Sequence, residues 1–394
     1  MRCILSCSRS VRFERSVSRR GLSLVEMLVA LTVTMIMMGA VITVFGFIGD
    51  RISGSRAMIE TNDRLRSSTN RLREDLATLT CDATPWQRPE MANGFIEIIE
   101  GPVTERAILN SGTDTITGDC DDILMFTIRS RGRPFVSRTG RESSVAEVIW
   151  YARPSEMTTN PPTFTLCRRQ LLVDPTFTGT GNQQDDDISR SPASGKANSL
   201  GDLTMRENRY MHQPGTFPFP VAFVPVTSAT GIRAPLTGSS NQRIGEEVIL
   251  TNVLSFDVKV FDPMAPMKTA SNGATTIGLT PSDPGYASAT AASGITGEYV
   301  DMGDPASPRF SSMQAKSGLT GQPFTYDTWS FHYEHDGIQQ GTGTMDPVTN
   351  DAIERETSPP FPFPLRGIKV TIRIYEPSSK QVREQTVVES FVPE

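Results

Sequence analysis

The sequence predicts an α+β fold: a long amino-terminal transmembrane helix that continues into an amphipathic helix packed on an antiparallel β-sheet head with long insertions. Three observations predict it. None of the 28 prolines precedes Pro85, an uninterrupted apolar run occupies residues 22–48, and β-branched segments recur from Phe95 onward. A proline-free start permits one long helix, whereas the proline-rich remainder suits strands joined by loops.

The first 21 residues form a basic leader. They contain six arginines and one acid, Glu14, so the leader carries a charge of +5. Because the whole chain carries −6, the remaining 373 residues carry −11. An acidic body disfavours a nucleic-acid-binding protein, and we predict no nucleic-acid partner. The positive-inside rule places residues 1–21 in the cytoplasm and everything after the apolar run across the membrane.

The apolar run from Leu22 to Ile48 contains one ionisable group, Glu26. As a helix its 27 residues would reach about 40 Å, enough to span a bilayer. A cleavable secretory signal would be shorter and end in a small-x-small site, but Gly49-Asp50-Arg51 follows here. The sequence therefore predicts a span that stays attached. Residues 18–24 also resemble a twin-arginine export signal, which would instead release a soluble enzyme.

The junction between leader and span carries a specific motif. The run Arg19-Arg20-Gly21-Leu22-Ser23-Leu24-Val25-Glu26 resembles the class III signal of the type IV prepilin superfamily. The resemblance implies that a membrane-embedded prepilin peptidase cuts the Gly21/Leu22 bond and N-methylates Leu22. Phenylalanine is the commoner first mature residue in that family, so Leu22 is a mild departure.

The position of Glu26 in the apolar run allows two interpretations of its role. A carboxylate near the centre of a membrane costs roughly 2.5 to 3.5 kcal/mol, and less near the interface, where Glu26 could bend back to the headgroups. The resemblance implies a second role, in which Glu26 pairs with the amino terminus of a neighbouring subunit and so determines assembly. Its presence argues against the K-type pseudopilin, whose family lacks this glutamate.

The amphipathic half of the helix is predicted over residues 49–80, as part of a helix of about 87 Å. Met58, Leu65, Leu72 and Leu79 fall in heptad register, with Leu76 added. This narrow apolar stripe suits packing on a head or on other helices, and the sequence leaves both open.

Residues 81–394 are predicted to form an exoplasmic β-rich head. Strands are predicted at residues 95–100, 123–128, 147–152, 164–172, 248–261, 367–376 and 382–391. Two stretches, about 174–242 and 263–360, are predicted to be surface insertions because their lengths are uncommon for plain loops. The spacing of segments 147–152 and 164–169 is similar to paired strands of PilW-like minor pilins and J-type minor pseudopilins.

No catalytic, cofactor or metal motif stands out, so the sequence predicts neither an enzyme nor a metal site. The run 331–336 holds two histidines and two acids, and residues 185–187 and 346–354 hold further acids; all are interpreted as charged loops. Three cysteines follow the leader in a compartment where disulfides persist. Cys81 and Cys120 are the preferred bridge, with Cys167 as a buried thiol.

The resemblance implies a minor pilin-like subunit of the cytoplasmic (inner) membrane, single-pass, with a periplasmic head and a place in a pilus or type II secretion pseudopilus after assembly. Prepilin peptidase, other pilin-like subunits and the membrane are its implied partners. The main alternative is a single-pass anchored exoplasmic protein that binds or cleaves a ligand.

Overall fold

The fold comes from a computed structural model, which divides the chain into two compact units, residues 1–56 and 57–394. It describes residues 23–101, 106–111, 114–156, 161–179, 187–214, 219, 221, 224–225, 232–233, 246–271, 276–281, 283, 285–286, 288–289, 291–303, 324–330 and 363–392.

Helix α1, Leu24–Leu76, begins in the first unit and ends in the second. In the first unit its apolar side chains are exposed in the isolated chain. In the second unit Leu65, Leu72 and Leu76 are buried in the head, so the predicted stripe packs on the head. The helix ends four residues before the predicted boundary at 80, because Leu79 forms a β-bridge with Ile128 instead.

The head is built on an antiparallel sheet of ten strands. Eight of them lie in the spatial order β14-β1-β4-β7-β8-β11-β15-β16, and β12 and β13 pair with the far end of β11. Their bounds are β1 Ile96–Ile99, β4 Ile123–Arg129, β7 Val145–Glu156, β8 Thr163–Leu172, β11 Glu246–Ser271, β12 Thr276–Leu279, β13 Ala291–Val300, β14 Thr325–Asp327, β15 Gly367–Glu376 and β16 Gln381–Ser390.

Three short hairpins, one short α-helix and two single-turn 3₁₀ helices, Pro89–Met91 and Arg206–Asn208, complete the described elements. The hairpins pair β2 with β3, β5 with β6, and β9 with β10. Their bounds are β2 Arg106–Ser111, β3 Asp114–Gly118, β5 Phe135–Val136, β6 Glu142–Ser143, β9 Val224–Pro225 and β10 Ile232–Arg233, and helix α2 spans Leu200–Thr204.

The sheet is buried on both faces, which explains why β4 is a continuous apolar run rather than an alternating one. Leu124 and Phe126 face a core shared with the leucines of α1. Ile123 and Met125 face a second core, covered by residues of the 187–214 segment such as Leu203.

All seven predicted strands are present, and the α+β fold class is confirmed. Parts of both predicted insertions nevertheless belong to the packed head. Residues 187–214 cover one face of the sheet, and β14, from the second insertion, pairs with β1 as an edge strand. The sequence analysis missed these contributions because the covering segment has no periodic apolar pattern.

Candidate functional site

The amino-terminal end of α1 is closed by a reciprocal capping box. The Ser23 hydroxyl accepts a hydrogen bond from the Glu26 amide at 3.2 Å, and the Ser23 amide donates to Glu26 Oε2 at 2.9 Å. Two free N–H groups of the helix start are thereby satisfied. Glu26 is thus held beside the helix start, close in sequence to the Gly21/Leu22 bond. Gly21 and Leu22 themselves lie outside the described residues.

Helix α1 is long and apolar enough to cross a membrane, and it is the one such helix among the described residues. Its most apolar window has no residue buried inside the protein. An apolar surface left uncovered by the protein's own core needs lipid or other apolar helices around it. The described part of α1 in the first unit therefore has the length, composition and exposure of a membrane-spanning helix.

A buried ion pair joins the head portion of α1 to the sheet. Asp75 accepts hydrogen bonds from Arg168 Nε at 2.7 Å, from an Arg168 terminal nitrogen at 3.0 Å and from Trp150 Nε1 at 2.9 Å. Asp75 and Arg168 are both almost fully buried. Arg168 lies on β8 and Trp150 on β7, so one carboxylate ties the helix to two strands of the sheet.

A second buried cluster joins the 187–214 segment to the sheet edge. Arg206 contacts Glu97 Oε1 at 2.6 Å and Asp327 at 2.8 Å, and Arg209 contacts Glu97 Oε2 at 2.7 Å and Asp327 at 2.8 Å. His212 Nε2 lies 3.0 Å from Glu97. Burial works to raise the pKa of Glu97, but Arg206, His212 and Arg209 outweigh it and hold that pKa well below its usual range. Two arginines and two carboxylates balance their charge.

A third buried cluster is acidic and is the candidate metal site among the described residues. One ligand oxygen each from Glu100, Asp119 and Asp122 lies within 4.8 Å of the others. Burial, followed by neighbouring acidic groups, raises the pKa of all three carboxyls well above their usual range. Carboxylate oxygens are the ligands that Ca²⁺ and Mg²⁺ take.

Two backbone amides donate to the cluster, and one lysine pairs with two acidic residues beside it. The amides of Gly101 and Val258 donate to Asp122 at 3.3 and 2.6 Å. Lys259 reaches Asp257 at 3.5 Å and Asp301 at 3.0 Å. The sequence analysis missed the cluster because Glu100 follows β1 whereas Asp119 and Asp122 precede β4, and only the pairing of these two strands brings the two segments together. The loops it weighed as metal ligands, 331–336 and 346–354, lie outside the described residues, as do residues 185 and 186.

The cysteines correct one prediction. Cys81, Cys120 and Cys167 are all buried thiols, and no disulfide joins these described cysteines, so the structure does not form the predicted Cys81–Cys120 bridge. Cys81 and Cys120 share the core beneath α1, where burial raises the pKa of the Cys81 thiol well above its usual value. A buried thiol can pack as a small apolar side chain without forming a disulfide.

Comparison with known proteins identifies a sequence motif at the amino terminus. Residues 17–42 match the model of the prokaryotic N-terminal methylation motif. The chain carries a prepilin-type signal. This match supports processing by a prepilin peptidase and attachment to the membrane, and it includes Gly21, Leu22 and Glu26. No curated protein and no solved structure matches the chain.

Proposed function

We propose that the protein is a minor pilin-like subunit, PilW-like or J-type, which assembles into a type IV pilus or a type II secretion pseudopilus. The observation that carries the proposal is the methylation motif at residues 17–42, placed directly at the start of a membrane-length helix. Its work is protein assembly rather than catalysis. The head faces the periplasm before assembly, in agreement with the charge of the leader.

The proposed sequence of events follows from the residues. Prepilin peptidase removes the +5 leader at Gly21/Leu22 and methylates Leu22. Glu26, four residues on, then pairs with the amine of a neighbouring subunit among packed apolar helices, where a charge pair is weakly screened. The capping box with Ser23 holds the carboxylate at the helix start until that partner arrives.

The size of the head supports a low copy number. Residues 81–394 form a head of roughly 310 residues on a single helix. Subunits that repeat closely along a filament must fit between their neighbours, and a head of this size limits that repeat. We infer a place near the filament tip, where a subunit has fewer neighbours.

Mass spectrometry of the mature amino terminus tests the proposal. We expect N-methyl-Leu22; an intact amino terminus at Met1 would favour the anchored binding protein or enzyme, and a terminus beyond Ile48 the exported soluble enzyme. Gly21→Leu should leave the leader attached, because a residue without Cβ lets the chain extend into the peptidase. Gly39→Leu is the matched control, since a Cβ there meets nothing within 4 Å. Normal, methylated product from Gly21→Leu would refute the cleavage site.

A further inference from the structure

Arg169 is a fully buried cation whose hydrogen-bonding groups are unused. It lies on β8 with no exposed surface, and none of its three guanidinium nitrogens has a hydrogen-bond partner among the described residues. Its guanidinium carbon lies 4.8 Å from the centre of the Tyr210 ring. Stacking of this kind occupies the flat face of a guanidinium and leaves its in-plane N–H groups for an acceptor. The buried Tyr210 hydroxyl also has no hydrogen-bond partner in the part of the chain that the structure describes.

The two carboxylates near Arg169 on its side of the sheet are already engaged. Glu246, the cross-strand neighbour of Arg169, accepts from Arg153 at 2.8 Å and from the Tyr151 hydroxyl at 2.8 Å. Glu147 accepts from the Ser189 hydroxyl at 2.6 Å and from the Tyr210 amide at 2.9 Å. Neither carboxylate lies at hydrogen-bond distance from Arg169.

Among the described residues around Arg169 on this side of the sheet, positive charge exceeds negative charge. Glu246 balances Arg153, while burial raises the pKa of Glu147 to about 7, so Glu147 is only partly ionised at neutral pH. The cluster around Glu97 is balanced within itself by its own two arginines. Among the described residues, the partly ionised Glu147 acts on Arg169 through its charge but makes no hydrogen bond to it, so the charge of Arg169 is only partly balanced. A buried ion without full compensation is costly, which makes an additional counter-ion the physical expectation.

We propose that Arg169, together with the Tyr210 hydroxyl, binds a small monovalent anion such as chloride in the interior of the head. Toward such an ion, the guanidinium and the phenol both act as hydrogen-bond donors. A monovalent anion adds negative charge beside the partly balanced Arg169. The enclosure of both side chains favours a monatomic ion over a phosphate or a carboxylate-bearing molecule. The bound anion fastens the 187–214 segment, which carries Tyr210, to β8.

Bromide replacement tests the site directly. Crystals of the full chain grown in bromide should show an anomalous peak at hydrogen-bond distance from the Arg169 guanidinium and the Tyr210 hydroxyl. A water at that position, or Arg169 paired with Glu147 or Glu246, would overturn the proposal.

A stability measurement in detergent solution gives an independent answer. The urea midpoint of the wild-type protein, read by tryptophan fluorescence, should rise saturably with chloride when gluconate keeps the ionic strength constant. Arg169→Met should abolish this chloride dependence, and Tyr210→Phe, which changes packing least, should weaken it. Arg141→Met is the matched control, because Arg141 also stacks on a ring, that of Phe177, but is paired with Asp174. Equal chloride dependence in the wild type and Arg169→Met would refute the site.

Discussion

The attachment of α1 to the head depends on Asp75, and Asp75→Asn tests it. The substitution keeps the shape of the side chain but removes the charge that faces Arg168, which is 1% exposed. The remaining acidic neighbour of Arg168, Glu247, is 3.5 Å away and 58% exposed, so it is a weak substitute. Removing one partner of a buried ion pair costs about 3 to 5 kcal/mol. We expect about 3 kcal/mol, because the asparagine oxygen can still accept one hydrogen bond.

Urea unfolding of the full chain in detergent, followed by tryptophan fluorescence, measures this loss. Trp150 donates to Asp75 and so reports on the site itself. With a slope of about 3 kcal/mol per M, the midpoint should fall by about 1 M. Glu74→Gln is the control: this neighbour is exposed and contacts only Arg71 at 3.9 Å, so its midpoint should hardly move.

A double variant decides whether the pairing is the cause. If Asp75 matters through Arg168, then Asp75→Asn combined with Arg168→Met should cost clearly less than the sum of the two single changes. Strict additivity, or an Asp75→Asn midpoint equal to that of the wild type, would show that α1 is held by its leucines alone.

Three further outcomes follow from the described geometry. Carboxyls such as Glu100 and Asp122 bind their protons more tightly in the folded than in the unfolded state, so their contribution to the free energy of unfolding should fall as pH rises above about 4. Added Ca²⁺ should offset that fall in the wild type and less so in Asp122→Asn, as measured by thermal unfolding; an identical response in both would exclude the cluster as a cation site. The three buried thiols should react with a maleimide only after denaturation, and labelling of the native protein would contradict their burial. Glu26→Ala should insert and be cleaved normally but be missing from sheared filaments. Ser23→Ala, which breaks the capping box alone, should still assemble. If both variants fail equally, Glu26 acts only as a helix cap.

Much of the fold could be predicted from local sequence patterns. β15 alternates Ile368, Val370, Ile372 and Ile374 with polar residues, and its predicted bounds agree with the structure. The agreement follows because apolar residues at every second position place one face of a β-strand in the core. The apolar stripe on α1 could also be predicted from the sequence. Its heptad spacing alone does not distinguish packing on the head from a coiled coil. Burial of Leu65 and Leu72 against the sheet decides that question.

The buried charge clusters could not be predicted from the sequence. Arg206 and Arg209 lie in a stretch of polar and charged residues, which is typical of a solvent-exposed loop. Their burial depends on Glu97 and Asp327, and nothing local specifies those partners. The acidic cluster has the same origin. A carboxylate such as Asp119 shows its role only once strand pairing brings distant loops together.

The cluster around Glu97 also bears on the order in which the head folds. Its charges come from β1, from the 187–214 segment and from β14, and more than 100 residues separate each contributor from the next. Closing such long loops is slow, and no partial assembly of these segments leaves every charge neutralised. The head should therefore reach its native state late and as one cooperative step, once all three segments have been synthesised. A truncation at residue 300 would remove Asp327 and leave Glu97 as the one carboxylate of the cluster beside Arg206 and Arg209. It should therefore give an aggregating product rather than a smaller domain.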